Sequence, residues 1–236
     1  MIKAIFFDWF NTLAHYYPPR EELESQALKE LGFGVSPKGL SYGLYLADKY
    51  LYEENARLPI RQRSREEQTK LYTRFHRIIL KEAGITTTDD VVSKLLFRMF
   101  ELNSTMKFVL FDDVSATLKA LKEKNLTLGL LTNLQTEVNS MCHELGIAAY
   151  LDFTVTSAEV GADKPQPPIF LKALQLAGVK AAEAIHVGDQ YQNDVLGARG
   201  VGISPILLDR ADYYTEITDC PRIKSLTEIN IYISVR

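Results

Sequence analysis

Acidic, basic and small polar side chains recur in this sequence at or shortly after the ends of short apolar runs. They are Asp8, Thr12, Thr132, Asn133, Lys164, Asp189 and Asp194. Carboxylates together with carbonyl and water oxygens are the ligands that Mg²⁺ prefers, and a nearby lysine holds a carboxylate nucleophile ionised. A divalent cation also offsets the repulsion between such a nucleophile and an anionic phosphoryl group. The residue types therefore suit a site for a phosphate and a divalent cation, provided that the fold brings them together.

The first of these residues ends a run that organises the chain. Residues 2–7 are almost all apolar, and such a β-branched and aromatic run is typical of a buried strand in a parallel sheet. Asp8 would then lie at the carboxyl end of a central strand, where α/β folds bind ligands. Taken alone, this aspartate could equally be a turn residue that caps the next segment. The rest of the chain decides between the two interpretations.

Residues 18–102 show helical periodicity without a strand signal. Start and stop signals predict four helices, at 20–31, 37–54, 64–83 and 88–100. The third begins with a capping box, in which Ser64 is followed three residues later by Glu67. Four amphipathic helices between the first strand and the rest of a sheet indicate an inserted cap. We therefore predict three segments, which are core 1–16, helical cap 17–108 and core 109–236.

The second core segment alternates strands and helices. The strands are expected at 126–131, 153–156, 184–187 and 203–208, and the helices at 114–124, 135–145, 169–176 and 194–199. Short connections favour right-handed crossovers and one parallel sheet. The predicted fold class is α/β, with a doubly wound, Rossmann-like core and an inserted all-helical cap. In such a sheet the polar strand ends converge on one crevice.

Composition limits the possible partners. The 236 residues are 46% hydrophobic, which is enough for a substantial core. A net charge of -3 provides no field for nucleic acid or anionic membrane, so we expect neither as a partner. Cys142 and Cys220 are too far apart in sequence to suggest a disulfide framework or a zinc site. No basic-then-apolar leader and no apolar run of about 20 residues is present, so the expected location is the cytoplasm.

Four short motifs occur in a definite order along the core. They are Asp-Trp-Phe-Asn-Thr-Leu from Asp8, Leu-Thr-Asn from Leu131, Lys-Pro from Lys164, and His-Val-Gly-Asp from His186 continuing to Asn-Asp at 193–194. Each motif is weak by itself, but four in this order are highly specific. On these residues the chain resembles the haloacid dehalogenase-like (HAD) hydrolase superfamily. The helical insertion resembles the C1-type cap that closes over the crevice and selects the substrate in that family.

The resemblance implies a Mg²⁺ site and its ligands. Asp8 would be both the nucleophile and a metal ligand, and Phe10 would lend its backbone carbonyl. Asp189 would bind Mg²⁺ directly, whereas Asp194 would either bind it through water or orient Asp189. The substrate would be a small phosphorylated molecule.

The resemblance also assigns the groups around the transferring phosphoryl. Thr132 would hydrogen-bond it, Asn133 would support Thr132, and Lys164 would stabilise charge. The implied function is a Mg²⁺-dependent phosphatase that works through an aspartyl-phosphate at Asp8. His186, which precedes the last motif on a strand, is expected to be a core histidine with a satisfied hydrogen bond.

One position departs from the phosphatases of this family. They carry a second aspartate two residues after the nucleophile, which protonates the leaving oxygen and later activates water, and here that place is Phe10. General acid-base assistance is worth about 10²–10⁴-fold in rate. His15 is the nearest candidate for a surrogate acid, although a solvated histidine is the ordinary interpretation. The alternative of a catalytically weak protein that binds metal and phosphate therefore stays open.

Two further chemistries in the superfamily lack the second aspartate. L-2-haloacid dehalogenases resemble this chain in their aromatic residue there, but they use no metal and lack the Gly188-Asp189 pair. Phosphonoacetaldehyde hydrolases form a Schiff base on a cap lysine, and Lys49 is the candidate here. Trp9 and Tyr191 are candidates for the wall of the substrate pocket.

Overall fold

The computed structural model describes residues 1–134 and 138–233, which form two compact units. One unit comprises Met1–His15 and Val109–Arg236, and the other comprises Tyr16–Phe108. The strands are β1 (Ala4–Phe7), β2 (Ala14–Tyr17), β3 (Lys107–Leu110), β4 (Thr127–Thr132), β5 (Phe153–Thr156), β6 (Ala184–Gly188), β7 (Ser204–Leu208) and β8 (Arg222–Ile223). The helices are α1 (Arg20–Glu30), α2 (Pro37–Arg57), α3 (Arg65–Glu82), α4 (Asp89–Asn103), α5 (Val114–Glu123), α6 (Val138–Glu144), α7 (Ser157–Val160), α8 (Pro167–Ala177), α9 (Leu196–Gly200) and α10 (Asn230–Ile233).

The first unit is built on a six-stranded parallel sheet in the order β5-β4-β1-β6-β7-β8. After β1 the chain builds β4 and β5 on one side and then crosses to β6, β7 and β8 on the other, so the strand order reverses beside β1. Phe7 is paired in register with Leu130 of β4 and with Val187 of β6. The carboxyl ends of β1, β4 and β6 are therefore neighbours, and the predicted α/β, doubly wound core is confirmed.

Burial explains why these runs form central strands. Every residue of β1 and of β6 is buried, as expected when helices cover both faces of a parallel sheet. One face packs against the helices α8 and α9. Its apolar cluster includes Phe6, Leu131, Val155, Ile169, Phe170 and Ala198. The apolar strands thus provide a rigid platform for the polar residues that follow them.

The second unit contains the helices α1 to α4 around their own apolar core. This core includes Leu28, Leu40, Ala47, Ile79 and Leu95, all fully buried. The predicted capping box is present at the start of α3, where Ser64 and Glu67 bond each other's backbone N–H groups. The helices lie close to their predicted positions, although α2 continues to Arg57 rather than ending at residue 54.

Several elements were not predicted from sequence. The strands β2 and β3 form a separate two-stranded sheet, and the boundaries between the two units fall within them. Such short strands are specified by pairing with a distant partner rather than by their own periodicity. The predicted helix 135–145 is observed as α6, and its first three positions, 135–137, lie outside the described residues. Within residues 1–134 and 138–233, no helix has the length and apolar character needed to cross a membrane.

Candidate active site

Three neighbouring strands deliver polar residues to one edge of the sheet. Asp8 follows β1, Thr132 is the last residue of β4, and Asp189 follows Gly188 at the end of β6. Because β1 lies between β4 and β6, these positions flank the point where the strand order reverses. Ligands of open α/β sheets bind in the crevice at such a point.

Lys164 connects the nucleophile candidate to a second carboxylate. Its Nζ donates to Oδ1 of Asp8 at 2.5 Å and to Oδ1 of Asp194 at 2.7 Å, and its side chain is only 2% exposed. Burial alone would lower the pKa of Lys164, but the charges of Asp194 and Asp8 outweigh it and raise the pKa above its usual range. The ammonium therefore stays protonated between the two carboxylates.

Asp194 is held by donors from three directions. Oδ1 accepts from Lys164 and lies 2.9 Å from Nε2 of His186, and Oδ2 accepts from the backbone N–H of Gln190 at 3.1 Å. Burial would raise the pKa of Asp194, yet Lys164 and His186 outweigh it and hold the pKa below its usual range. An ionised carboxylate can only accept, so Nε2 of His186 is the donor. With its oxygens engaged in this way, Asp194 is better suited to orient its neighbours than to coordinate a cation directly.

His186 is therefore more than the core histidine that the sequence suggested. It is fully buried, packs edge-on against Phe170, and takes part in the charged cluster through Asp194. Burial lowers its pKa and so favours the neutral ring, in which Nε2–H is the donor to Asp194. The strand period offered one signal, because His186 shares a face of β6 with Gly188, two residues closer to the site.

Gly188 makes room for Asp194, and this predicts the effect of adding a methyl group. A Cβ on Gly188 would lie 2.2 Å from Cγ of Asp194, whereas one on Gly200 in α9 meets no atom of the described residues within 4 Å. We expect Gly188→Ala to lower the free energy of unfolding by about 1–3 kcal/mol, the usual cost of overpacking. Gly200→Ala, the matched control, should stay within about 0.5 kcal/mol of the wild type. Urea denaturation of both variants tests this, and equal midpoints would contradict it.

Asn133 and Thr132 occupy the loop after β4. The side chain of Asn133 brackets the backbone of Lys164, accepting from its N–H at 2.7 Å and donating to its carbonyl at 3.2 Å. Asn133 thus supports Lys164, whereas the sequence had assigned it to Thr132. Oγ1 of Thr132 accepts from the N–H of Leu134 at 3.1 Å, and a hydroxyl that accepts one bond can also donate its proton to an oxygen of a ligand.

The carboxylates fit a divalent cation. Asp8, Asp189 and Asp194 each place an oxygen within 4.8 Å of the others. Oδ2 of Asp8 and Oδ1 of Asp189 are buried without a hydrogen-bond partner among the described residues. Burial raises the pKa of Asp8 to about 6, and burial together with the charges of Asp8 and Asp194 raises the pKa of Asp189 well above its usual value. A bound Mg²⁺ would reverse this by favouring the ionised forms, and hard oxygen donors are the ligands it takes.

Three further candidates from the sequence, Phe10, Trp9 and His15, lie in or just after the loop that follows Asp8. Phe10 is half-buried, and its backbone bridges to Ala14 in the loop after Asp8. Trp9 in the same loop is fully buried. The ring of His15 packs on Phe111, with centroids 4.6 Å apart.

Two further candidates belong to helical segments. Tyr191 begins a π-helical turn, Tyr191–Val195, just after Asp189, and its hydroxyl donates to Asp219 at 2.8 Å. The helix predicted at 194–199 is observed as α9, Leu196–Gly200, and Asp194 lies in the π-helical turn before it. Lys49 is half-buried on α2, in the helical unit.

Comparisons with known proteins agree with this core. The sequence model of the haloacid dehalogenase-like hydrolase family matches residues 2–202 of this chain. The glyceraldehyde 3-phosphate phosphatase of Methanopyrus kandleri is 30% identical over 217 residues, covering 90% of this chain and 86% of that protein. The haloacid dehalogenase-like hydrolase domain-containing protein 3 of Bos taurus is 33% identical over 129 residues, 54% of this chain. That match spans about half of the bovine protein, 51% of its length.

A protein of similar fold and known structure is named for a different reaction. A 2-haloacid dehalogenase from Pseudomonas syringae pv. Tomato is 24% identical with a TM-score of 0.58, and the alignment covers 99% of both chains. The fold alone therefore does not distinguish a phosphatase from a dehalogenase. Taken together, the sheet, the strand-end cluster and the family match over residues 2–202 show that the chain belongs to the haloacid dehalogenase-like hydrolase family.

Proposed function

We propose that this hydrolase is a Mg²⁺-dependent phosphatase that acts on a small phosphorylated metabolite through an aspartyl-phosphate at Asp8. The observation that carries the proposal is the buried cluster in which Lys164 joins Asp8 to Asp194, beside Asp189. A dehalogenase needs no cation, and three clustered carboxylates opposite a single ammonium would be costly without one. The Methanopyrus kandleri relative, which aligns over 90% of this chain, is named a glyceraldehyde 3-phosphate phosphatase.

The residues of the chain divide the chemistry among them. A carboxylate oxygen of Asp8 attacks phosphorus while the other is held in place, since Lys164 already bonds Oδ1. Lys164 and the hydroxyl of Thr132 stabilise the charge on the phosphoryl oxygens. Water then attacks phosphorus, the bond between phosphorus and the Asp8 oxygen breaks, and inorganic phosphate leaves with the protons of the water while Asp8 returns as a carboxylate. Asp8, Asp189 and the carbonyl of Phe10 would hold Mg²⁺, which when bound offsets the repulsion between the nucleophile and the phosphoryl group.

Protonation of the leaving oxygen is the step for which this site lacks the usual residue. Phe10 stands where a proton donor is expected, so the alkoxide of an alkyl phosphate would depart without assistance. Phenolate leaving groups need little protonation. We therefore propose that the enzyme favours substrates with good leaving groups, unless His15 supplies the proton.

Turnover of two phosphate esters tests the proposed function. With Mg²⁺ we expect release of phosphate from p-nitrophenyl phosphate, loss of this activity with EDTA, and its recovery when Mg²⁺ is restored. Glycerol 3-phosphate should be hydrolysed much more slowly. Metal-free release of chloride from 2-chloropropionate would instead establish a dehalogenase. Binding of Mg²⁺ and phosphate without turnover of either ester would indicate a binding module.

Restoring the missing carboxyl group predicts a gain of activity. We expect Phe10→Asp to raise kcat/KM for glycerol 3-phosphate by about 10²-fold, the lower end of what general acid catalysis supplies, and to change turnover of p-nitrophenyl phosphate little. Phe10→Asn is the matched control, because it has the same shape but cannot transfer a proton. Equal rates in the two variants would show that position 10 does not limit proton transfer.

A further inference from the structure

Arg210 lies at the carboxyl edge of the sheet, two residues after β7, and no motif pointed to it. Its Nη2 donates to the backbone carbonyl of Thr12 at 2.9 Å. Both terminal nitrogens also donate to the carboxylate of Asp113, again at 2.9 Å each. The carbon of the guanidinium lies 3.9 Å from the centre of the Phe111 ring. One side chain thus contacts the loop after Asp8 and the segment that precedes α5.

The loop after Asp8 is tightly wound. The carbonyl of Trp9 accepts from the backbone N–H groups of Thr12, Leu13 and Ala14, at 3.3, 2.9 and 3.0 Å. Asn11 has a φ of 59°, in the left-handed region that asparagine adopts more readily than most residues other than glycine. Arg210 adds a contact to this loop from a distant part of the chain, at the carbonyl of Thr12.

The other partners of Arg210 are themselves held in place. Oδ2 of Asp113 also accepts from Oγ of Ser225 at 2.8 Å and from the N–H of Leu226 at 2.9 Å. Phe111 donates its backbone N–H to the carbonyl of Leu13 at 3.2 Å, so it too is tied to the loop after Asp8. The side chains of Arg210 and Asp113 are only 20% and 14% exposed, which limits screening of the ion pair by water. A planar, forked donor suits these simultaneous contacts better than an ammonium does.

We propose that Arg210 is a positioning residue that fixes the loop carrying Asp8 and the carbonyl of Phe10, by bonding the carbonyl of Thr12 from an anchored guanidinium. Its effect on rate rests on the proposed function. Its effect on the loop does not. Without Arg210 the loop keeps the bond from Phe111 to Leu13 but loses the one at the carbonyl of Thr12. A displacement of about 1 Å in a reacting group can cost about 10²-fold in rate.

The chain carries its own reporter for this loop, because Trp9 is the one tryptophan in the sequence and is fully buried. We expect Arg210→Met to increase acrylamide quenching of Trp9 fluorescence, to weaken its near-ultraviolet circular dichroism, and to lower kcat by about 10–100-fold with a smaller change in KM. Arg210→Lys, which keeps one charge and a donor, should fall between this variant and the wild type.

Arg222→Met is the matched control. Arg222 lies in the same unit, is also paired with carboxylates, those of Asp209 and Asp212, and has a side chain that is 26% exposed. Its loss should lower stability without changing Trp9 quenching or kcat. Should Arg210→Met not fold, Arg210→Lys serves for the same comparison. Wild-type quenching and kcat in a folded Arg210 variant would overturn the inference. An inactive wild type would reject the proposed function, while the quenching comparison would still decide the role of Arg210.

Discussion

Replacing Asp8 with asparagine should lower kcat/KM for p-nitrophenyl phosphate by roughly 10⁴-fold or more, because an amide cannot attack phosphorus. Asparagine has nearly the same shape as aspartate, and its carbonyl can still accept from Lys164, which bonds Oδ1 of Asp8 in the wild type. The fold should therefore survive. Burial also raises the pKa of Asp8 to about 6, because the charged form is the more costly one to desolvate, so a neutral amide costs less to bury here than the carboxylate does.

Steady-state kinetics and thermal unfolding of the same preparation separate chemistry from folding. Asp212→Asn is a suitable control, because Asp212 lies in the same unit, is exposed, and has its carboxylate paired with Arg222 and Lys224. Its turnover should match that of the wild type. A folded Asp8→Asn protein that kept more than a small fraction of activity would reject Asp8 as the nucleophile.

Replacing Lys164 with methionine should damage both stability and turnover. The variant leaves Asp8 and Asp194 buried without the ammonium that joins them at 2.5 and 2.7 Å. Removing one partner of a buried ion pair costs about 3–5 kcal/mol, because the remaining charge is left uncompensated. Losing a charged donor to the phosphoryl oxygens should lower kcat by a further 10²–10³-fold, roughly the effect of removing one oxyanion donor.

Urea denaturation and turnover of p-nitrophenyl phosphate measure the two effects. Lys119→Met, at an exposed position on α5, is the control and should change stability by less than about 0.5 kcal/mol. Mg²⁺ should recover part of the stability lost in Lys164→Met, since a cation between the carboxylates replaces some of the missing positive charge. Equal stability of the Lys164 and Lys119 variants would show that Lys164 is not the counter-charge of the cluster.

Local patterns in the sequence determined much of this protein. The apolar run before Asp8, the four amphipathic helices and the later alternation of strands and helices each follow from side-chain periodicity over a few turns or one strand. They predicted the α/β class and the helical insertion. Convergence of Asp8, Thr132 and Asp189 followed as well, because parallel strands place their carboxyl ends at one edge of a sheet.

Tertiary structure alone decided which side chains bond one another. Lys164 reaches Asp8 across 156 positions, and Arg210 reaches Thr12 across 198. Nothing in the neighbourhood of Arg210 in sequence distinguishes it from a surface arginine, and His186 gave only the signal of sharing a strand face with Gly188. Such contacts depend on the separation and direction of strands that are far apart in the chain, so local propensity carries no information about them. The chemistry of the site could be anticipated from residue types, whereas the network that holds those residues in place required the folded chain.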